Sequence, residues 1–417
     1  MELLFSVFFA INIAQCIFTM YSMLYSWNNE NNKDNNNTTP SQLKVLNKTS
    51  FTILLPALNE SKVIKNTLKS IQNLDYPHEL YNTILILREE DPDTLYAAKE
   101  ALHEYSIENL SIVVVNSNVR NKPNQLNAGL KKSTGDYIVV FDAEDDINKD
   151  ILKTANEKIT HHKADVVQFG VQLMNFDSKW FSIFNVMEYY FWFKSFLPFY
   201  ATMKVFPLAG NSAFIRRSIV ESVGGWDETA LTEDCELGIR IFQKDLKISV
   251  IYDPILTTKE EAPATLKSFI KQRTRWNQGF LQILFKAQWL NFTTPRKLLI
   301  SFYFLIWPFM HFILLTTLVV SLFVVPFFEV SIWLSLFSIY SLLLLILQIV
   351  ILNYGFYQFC KEYRIKYNIF YIFKIFILFI PYQLVVAYST SRGIIRELAK
   401  NNSWEKTEHF NIHRKPS

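Results

Sequence analysis

Tyr137-Ile138-Val139-Val140-Phe141-Asp142-Ala143-Glu144-Asp145 is the stretch that decides the fold. Five apolar residues, mostly β-branched or aromatic, run straight into three carboxylates. A short, fully apolar run cut off by polar residues reads as a strand buried on both faces. Working outward, residues 51–55, 83–87 and 112–115 are runs of the same kind. Between them lie polar, helix-compatible stretches at residues 61–74, 92–105 and 123–132. This β-α-β-α rhythm predicts an α/β domain over residues 51–260, built on a mostly parallel sheet with helices on both faces. In such sheets ligands bind beyond the carboxyl ends of the strands. Asn59 and Glu60, Glu89 and Glu90, and residues 142–145 each follow a strand run. They are therefore expected on one rim.

The rest of the chain is greasier than a soluble enzyme. Of 417 residues, 50% are hydrophobic and 16% aromatic, with 36 Phe and 20 Tyr. Residues 2–27 are an apolar run that can cross a bilayer core of about 30 Å at about 1.5 Å per residue. No basic stretch precedes it and it is too long for a cleaved signal peptide. Lys33, Lys44 and Lys48 follow it, which places the N-terminus outside and the remainder inside. Residues 28–50 are Asn-rich and aperiodic, a linker. Residues 298–352 hold two further spans with a break near 326–331. Lys361, Arg364 and Lys366 keep the next loop in the cytosol. The last run is interrupted by Lys374 and Pro381, and the tail after it is basic, with Arg392, Arg396, Lys400 and Lys406. A broken or re-entrant segment with an inside C-terminus is the expectation. The predicted organisation is a transmembrane helix at 1–27, the linker at 28–50, the catalytic domain at 51–260, interfacial helices at 261–297, a membrane region at 298–391 and a cytosolic tail at 392–417. Residues 176–200 are crowded with aromatics but carry Asp177, Lys179, Glu188 and Lys194. They predict either an amphipathic helix on the membrane surface or a buried helix of the domain.

Composition also excludes. A net charge of +4 carries no nucleic-acid footprint. Cys16, Cys235 and Cys360 lie far apart with no paired spacing, so neither a zinc site nor a disulfide framework is supported. His311 and Lys374 are isolated in apolar runs and mark no ion path.

Three clusters carry chemistry. Asp142, Glu144 and Asp145 at a strand end are hard oxygen ligands suited to Mg2+ or Mn2+ with diphosphate oxygens; the ordinary alternative is an acidic turn. Thr232-Glu233-Asp234 opens a helix-like stretch. Asp234 reads either as a helix cap or as a general base held ionised by the helix terminus. In Gln272-Arg273-Thr274-Arg275-Trp276, the residues Gln272, Arg275 and Trp276 fall on one helix face. Arg275 can counter diphosphate charge, Trp276 can stack on a sugar ring and Gln272 can bond hydroxyls. An interfacial basic and aromatic helix is the alternative, though it gives Gln272 no task.

With these clusters, Pro56-Ala57-Leu58-Asn59-Glu60, Lys122-Pro123-Asn124-Gln125-Leu126-Asn127 and Gly224-Gly225-Trp226-Asp227 stand in order along the chain. Together they resemble the membrane-integrated family-2 glycosyltransferases, the group of cellulose, chitin and hyaluronan synthases. The resemblance runs from about residue 51 to 282 and into the flanking apolar segments. It implies a Rossmann-like GT-A fold in the cytosol, in a multi-pass protein of the plasma membrane, and an inverting, metal-dependent single displacement. It implies Asp234 as base, Pro56, Asn59, Glu60 and Glu89 or Glu90 at the nucleotide, and Lys122 and Asp142 at the phosphates. Asp142 with Glu144 or Asp145 would hold the metal. Glu233, Gln272, Arg275 and Trp276 would lie between the diphosphate and the acceptor. The expected partners are a UDP-glucose or UDP-N-acetylglucosamine donor, a growing β-linked glycan and the bilayer. The alternatives are transfer of one sugar to a polyprenyl phosphate, and a membrane scaffold or channel with an inactive transferase domain. Trp404-Glu405-Lys406-Thr407-Glu408-His409 resembles a tail of bacterial relatives, with a gating segment over the donor site as its analogue.

Overall fold

The computed structural model describes residues 2–28, 48–403 and Glu405. The Asn-rich linker, and the tail motif apart from Glu405, lie outside the described residues.

The chain opens with helix α1 (Glu2–Asn28) and then alternates strand and helix: β1 (Phe51–Pro56), α2 (Ile64–Gln72), β2 (Tyr81–Arg88), α3 (Pro92–Tyr105), β3 (Leu110–Val115), α4 (Lys122–Leu130), β4 (Tyr137–Val140), α5 (Ile151–His162) and β5 (Val166–Phe169). Next come β6 (Val171–Leu173), α6 (Ser182–Phe191), α7 (Leu197–Thr202), β7 (Ala213–Arg216), α8 (Arg217–Ser222), α9 (Glu233–Ile241), β8 (Ile248–Ile251) and β9 (Thr258–Glu260). The chain closes with α10 (Leu266–Lys286), α11 (Pro295–Ile306), α12 (Met310–Val319), α13 (Ile332–Glu362) and α14 (Phe370–Leu398).

Seven strands form one sheet in the order β3-β2-β1-β4-β7-β5-β8. The four runs read from the sequence are β1 to β4, and they pair in parallel. The antiparallel β7 sits between β4 and β5, so the sheet is mixed at its centre. A separate parallel pair joins β6 to β9. Period-2 alternation divides the apolar side chains between two cores. Phe51, Ile53, Leu55, Val139 and Phe214 face α2, α3 and α5. Leu54, Ile86, Ile138, Val140 and Ile215 face α4, α9 and the helices that lead to the membrane segments. Phe214 is fully buried, with its ring centroid 5.5 Å from Phe51 and 5.4 Å from Phe169. Burying such a ring contributes about 2–3 kcal/mol.

Because β1, β2 and β4 run in the same direction, their carboxyl ends share one edge. That edge carries Pro56, the turn after Arg88 and the acidic turn that begins at Asp142.

Four helical segments are long and apolar enough to cross a membrane: Glu2–Asn28, Pro295–Val324, Ile332–Glu362 and Phe370–Leu398. The far end of this bundle is marked by the Glu2 carboxylate, which accepts a 2.9 Å hydrogen bond from the Ser331 amide. At the end near the sheet, the buried Lys194 pairs with Glu362 and lies 4.5 Å over the Trp27 ring. The aromatic stretch at 176–200 forms α6, a π-turn (Trp192–Phe196) and α7, largely buried between the sheet and the bundle. It packs against the domain core and against the long apolar helices at once.

The last apolar run differs from the broken segment expected. It is one unbroken helix of 29 residues, with Pro381 inside it. Lys374 is accommodated by a 2.8 Å ion pair with Asp177. Near its start Tyr371 packs on Phe356, and near its end the Thr390 hydroxyl donates to the Pro308 carbonyl. Both contacts are at the sheet-side ends of α13 and α12. α14 therefore lies across the near end of the bundle, alongside α10. Asn277 donates to Thr390, and Gln278 donates to Glu397.

Candidate active site

The acidic turn after β4 is held by one of its own carboxylates. Asp145 accepts from the Asp142 amide (2.8 Å) and from the Asn211 amide group (2.8 Å), and is fully buried. Asp142 and Glu144 line a cavity of about 560 Å3. Burial, then the charges of Glu260, Asp142 and Glu144, raise the Asp145 pKa well above the ordinary carboxylate range. Among the described residues no group of three or more His, Cys, Asp or Glu side chains converges on a metal position. The sequence left the second metal-facing carboxylate open between Glu144 and Asp145: Asp142 and Glu144 line the cavity, whereas Asp145 is buried within the turn. Glu260 and Glu261 also line the cavity and were not foreseen. Their signal in the sequence was only an acidic pair at the end of a very short strand.

Lys122 opens α4 behind an Asn121 cap that accepts from the Asn124 amide (3.0 Å). Its ammonium donates to Asp142 and to the Gly210 carbonyl (3.3 Å). Burial opposes its charge, but Asp142, Glu233 and Asp234 outweigh burial and raise its pKa. Two of the sequence motifs prove to be one unit. Asn127 donates to the Trp226 carbonyl (2.8 Å) and accepts from the Trp226 amide (2.9 Å), and Asn124 donates to Glu228 (3.0 Å). Gly225 adopts φ +80°, and a Cβ there would meet the Asn127 side chain at 2.5 Å. Gln125 donates to the carbonyls of Ala57 (2.9 Å) and Ile86 (2.7 Å), tying α4 to the ends of β1 and β2.

Pro56 and Glu60 line the cavity, together with Leu58 and Arg120. Asn59 does not. It adopts φ +55°, and its amide donates to Asp91 (2.5 Å), the residue that also caps α3. Glu89 is exposed and outside the cavity wall, and Glu90 is bound to Arg88 (2.7 Å) and Arg120 (3.3 Å). Neither acid is among the residues that line the cavity. Arg120 and Glu60 are the charged groups on that wall.

Glu233 and Asp234 form the first turn of α9 and both line the cavity. Asp234 accepts from the Cys235 amide (2.8 Å). The sequence reading had the helix terminus holding Asp234 ionised. The structure reverses the direction: burial raises its pKa, against the pull of the Cys235 amide, Lys122 and Arg275. Glu233 is pushed up to about 7 by burial and by Asp234. Two adjacent buried carboxylates resist being ionised together, so the pair holds one proton to higher pH than an isolated carboxylate would. Opposite them Gly210 leaves room, since a Cβ there would lie 2.9 Å from the Asp234 Oδ2. Gly210→Ala should displace that carboxylate and lower kcat between about tenfold and a hundredfold, with nucleotide affinity little changed. Steady-state kinetics beside calorimetric nucleotide binding would check this.

α10 starts at a Thr265 cap that accepts from the Ser268 amide (3.1 Å). Gln272, Arg275 and Trp276 all face the cavity, as their spacing requires. Burial lowers the Arg275 pKa, opposed by Glu233, Asp234 and Asp142, the carboxylates it faces. Arg273, which was not singled out, also lines the cavity, on the side of the long apolar helices. It pairs with Glu188, donates to Asn185 (2.6 Å) and stacks 4.7 Å over the Trp276 ring. Tyr189 lies 6.3 Å from that ring on the other wall. At Gly279 α10 touches the Thr232 side chain so closely that no Cβ fits, which sets Arg275 and Trp276 against Asp234.

Several known proteins resemble this chain. "Probable glycosyltransferase YdaM" of Bacillus subtilis (strain 168) is 29% identical over 382 residues, 87% of each chain. The beta-monoglucosyldiacylglycerol synthase of Nostoc sp. is 28% identical over 55% of this chain and 48% of that enzyme. The poly-beta-1,6-N-acetyl-D-glucosamine synthase of Staphylococcus aureus is 27% identical over 59% of this chain and 58% of that enzyme. This chain thus spans about half the length of the latter two relatives. Among solved structures, the mannosyltransferase PcManGT from Pyrobaculum calidifontis, in complex with GDP-Man and Mn2+, superposes with a TM-score of 0.61 at 16% identity, over 95% of this chain and 99% of that one. That likeness is one of fold. The profile of "Glycosyltransferase like family 2" matches residues 48–279, from the first strand through α10, and the chain belongs to that family.

Proposed function

We propose that this enzyme moves a sugar from a nucleoside-diphosphate donor, with inversion, onto a hydroxyl that reaches the site from the membrane side. One observation carries the reading. Lys122, Asp142, Asp234 and Arg275 line a single cavity, and that cavity continues between the apolar helices. The acceptor oxygen attacks the anomeric carbon as its proton passes to the Asp234 carboxylate. The bond from that carbon to the diphosphate breaks, and the electron pair leaves with the nucleoside diphosphate. Lys122 and Arg275 stand where charge builds on the departing phosphates.

Asp142 and Glu144 would hold a divalent cation together with donor oxygens, with Glu260 near. The acidity crowded around Asp145 is the feature that fits such an ion. When bound, Mg2+ or Mn2+ supplies Lewis-acid stabilisation of the leaving group. Pro56, Glu60 and Arg120 would border the nucleotide. Gln272 and Trp276 would border the sugar and the acceptor.

With α1, the Pro295–Val324 segment and α13 crossing the bilayer and α14 lying along its surface, the sheet domain faces the cytosol. This agrees with the basic residues that flank the apolar runs. Elongation of a β-linked glycan is a second reading of the acceptor, favoured by the aromatic wall of Tyr189, Trp192 and Trp276. Purified protein in lipid, given UDP- and GDP-sugars with Mn2+, should release nucleoside diphosphate and yield a labelled product. The size and solubility of that product identify the acceptor. If no nucleotide binds and no diphosphate is released, the assignment fails.

The carboxylate pair also sets a pH dependence. Glu233 is raised to about 7 and Asp234 is raised beside it. The base acts ionised and its pKa is raised, so kcat/KM should rise with pH through a range above that of an ordinary aspartate and level off beyond it. Glu233→Gln removes one of the two repelling charges and should move that rise to lower pH. An unchanged profile would remove the coupling from the mechanism.

A further inference from the structure

The cavity does not end at the catalytic rim. One arm of it passes the Arg273–Glu188 pair and runs between the long helices, where Gln15, Leu314, Gln348, Leu352, Phe379 and Val386 form its walls. None of the lining residues contributed by the four long helical segments is Asp, Glu, Lys or Arg. Polar groups are few there. His311 is bonded to Gln383 (2.7 Å), and the buried Gln15 Oε1 has no protein partner. The arm is also blind. Phe9, Val320 and Leu334, all buried, pack together further along α1 and close the far end of the bundle. Gln15 and Phe9 are separated by six residues of helix, roughly 9 Å.

We propose that this arm is the acceptor site and that its occupant is an uncharged lipid alcohol of the diacylglycerol type. Its acyl chains lie between the long helices and its head hydroxyl points at Asp234. The inference rests on the sugar-transfer reading above.

Three arguments select this occupant. Mostly apolar walls suit acyl chains. A glycan lying there would bury hydroxyls without partners, at about 1–3 kcal/mol each. A blind end suits a ligand that enters and leaves from the membrane side, whereas an elongating polymer needs an exit. Charge excludes an acceptor that carries a phosphate. At the throat the Arg273 cation is already matched by Glu188, which also accepts from the Tyr382 hydroxyl (2.7 Å). A phosphate there would be placed against a carboxylate. An uncharged head fits, and Gln272 Oε1, buried and without a protein partner, is available to a second hydroxyl of a glycerol backbone. The reaction is balanced as before: the lipid oxygen gains the glycosyl group, its proton goes to Asp234, and the diphosphate leaves with the bonding pair. The products are a glycolipid and a nucleoside diphosphate.

The test uses the full chain reconstituted in phosphatidylcholine vesicles with Mn2+ and a panel of labelled UDP- and GDP-sugars. Vesicles contain dioleoylglycerol, a polyprenyl phosphate or neither, and a β-linked oligosaccharide is supplied in a separate arm. The expected result is a chloroform-soluble labelled product at least tenfold more abundant with dioleoylglycerol than in any other arm. Transfer should weaken as the acyl chains are shortened at constant head group. Leu352→Trp, which fills the arm, should raise the apparent KM for dioleoylglycerol at least tenfold, while UDP or GDP affinity by calorimetry persists. Transfer mainly to oligosaccharide or to polyprenyl phosphate overturns the proposal, as does activity independent of acyl length. Donor binding without transfer to dioleoylglycerol overturns it too. Absence of donor binding instead overturns the sugar-transfer reading on which it rests. The chain-length series uses the unmodified protein, so the proposal stays falsifiable if Leu352→Trp fails to fold.

Discussion

Asp234→Asn should abolish glycosyl transfer while leaving nucleotide binding nearly intact. The substitution keeps the side chain's shape and its acceptance of the Cys235 amide at 2.8 Å. It removes only the ability to take a proton. A positioned general base contributes about 10²–10⁴ in rate, and the drop in kcat should lie in that range. Nucleotide affinity should change little, because Lys122 and Arg275, the two cations nearest the pair, remain, and one carboxylate fewer opposes the incoming phosphates. Glu233→Gln should be milder than Asp234→Asn. Gly210 makes room for Asp234 and not for Glu233, which marks Asp234 as the carboxylate with freedom to meet an incoming hydroxyl. Single-turnover kinetics with labelled donor, beside calorimetric nucleotide binding, measure both quantities. Full activity in Asp234→Asn would assign the proton to another group.

What could be read beforehand divides along physical lines. Strands β1 to β4 were legible because a strand buried on both faces must be apolar throughout, and a helix between parallel strands must present a polar side. The short antiparallel β7 was not, because Ala213–Arg216 is four residues with no period of its own. Its place depends on fitting between β4 and β5. The rim was legible for the same reason as the strands. Which rim residues turn inward was not. Asp142 and Asp145 look alike in sequence, and only the Asp142 amide and Asn211 fix Asp145 as the residue that shapes the turn. Likewise nothing in Arg88-Glu89-Glu90-Asp91 reveals that Asp91 is spent on capping α3 and holding the Asn59 amide. α14 was misjudged for a different reason. Lys374 and Pro381 are breaks only for a helix crossing lipid. For a helix lying along α10, with an acid at 177 within reach of Lys374, they are tolerated. The reversed pKa direction at Asp234 was also out of reach, because it depends on burial in a cavity walled by α10, which is not local to it in sequence.

The same limit applies to the two arginines of α10, whose separation makes the second large prediction. Arg273 and Arg275 are two residues apart and therefore point about 200° apart around the helix, so their surroundings cannot be alike. Arg275 faces Glu233, Asp234 and Asp142 across the donor side of the cavity. Arg273 is bound by Glu188 and Asn185 on the membrane side and backs the Trp276 ring. Arg275→Ala should therefore lower kcat by about 10²–10³, the range for losing a preorganised group that meets charge developing in the transition state. Arg275→Lys should recover only part of this, because an ammonium cannot reproduce a planar, bidentate contact with phosphate oxygens. Arg273→Ala should act differently. It leaves Glu188 without its cation and frees the Trp276 ring, so the loss should fall on acceptor KM and on thermal stability, with donor affinity preserved. The contrast is measured by titrating donor at saturating acceptor and acceptor at saturating donor for the three variants, with thermal melts alongside. Equal effects of Arg273→Ala and Arg275→Ala on donor kinetics would mean that the cavity is not divided at α10 into a phosphate side and an acceptor side. Such a division would let one helix set the leaving group and the incoming hydroxyl on opposite sides of the same sugar, as the proposed inversion requires.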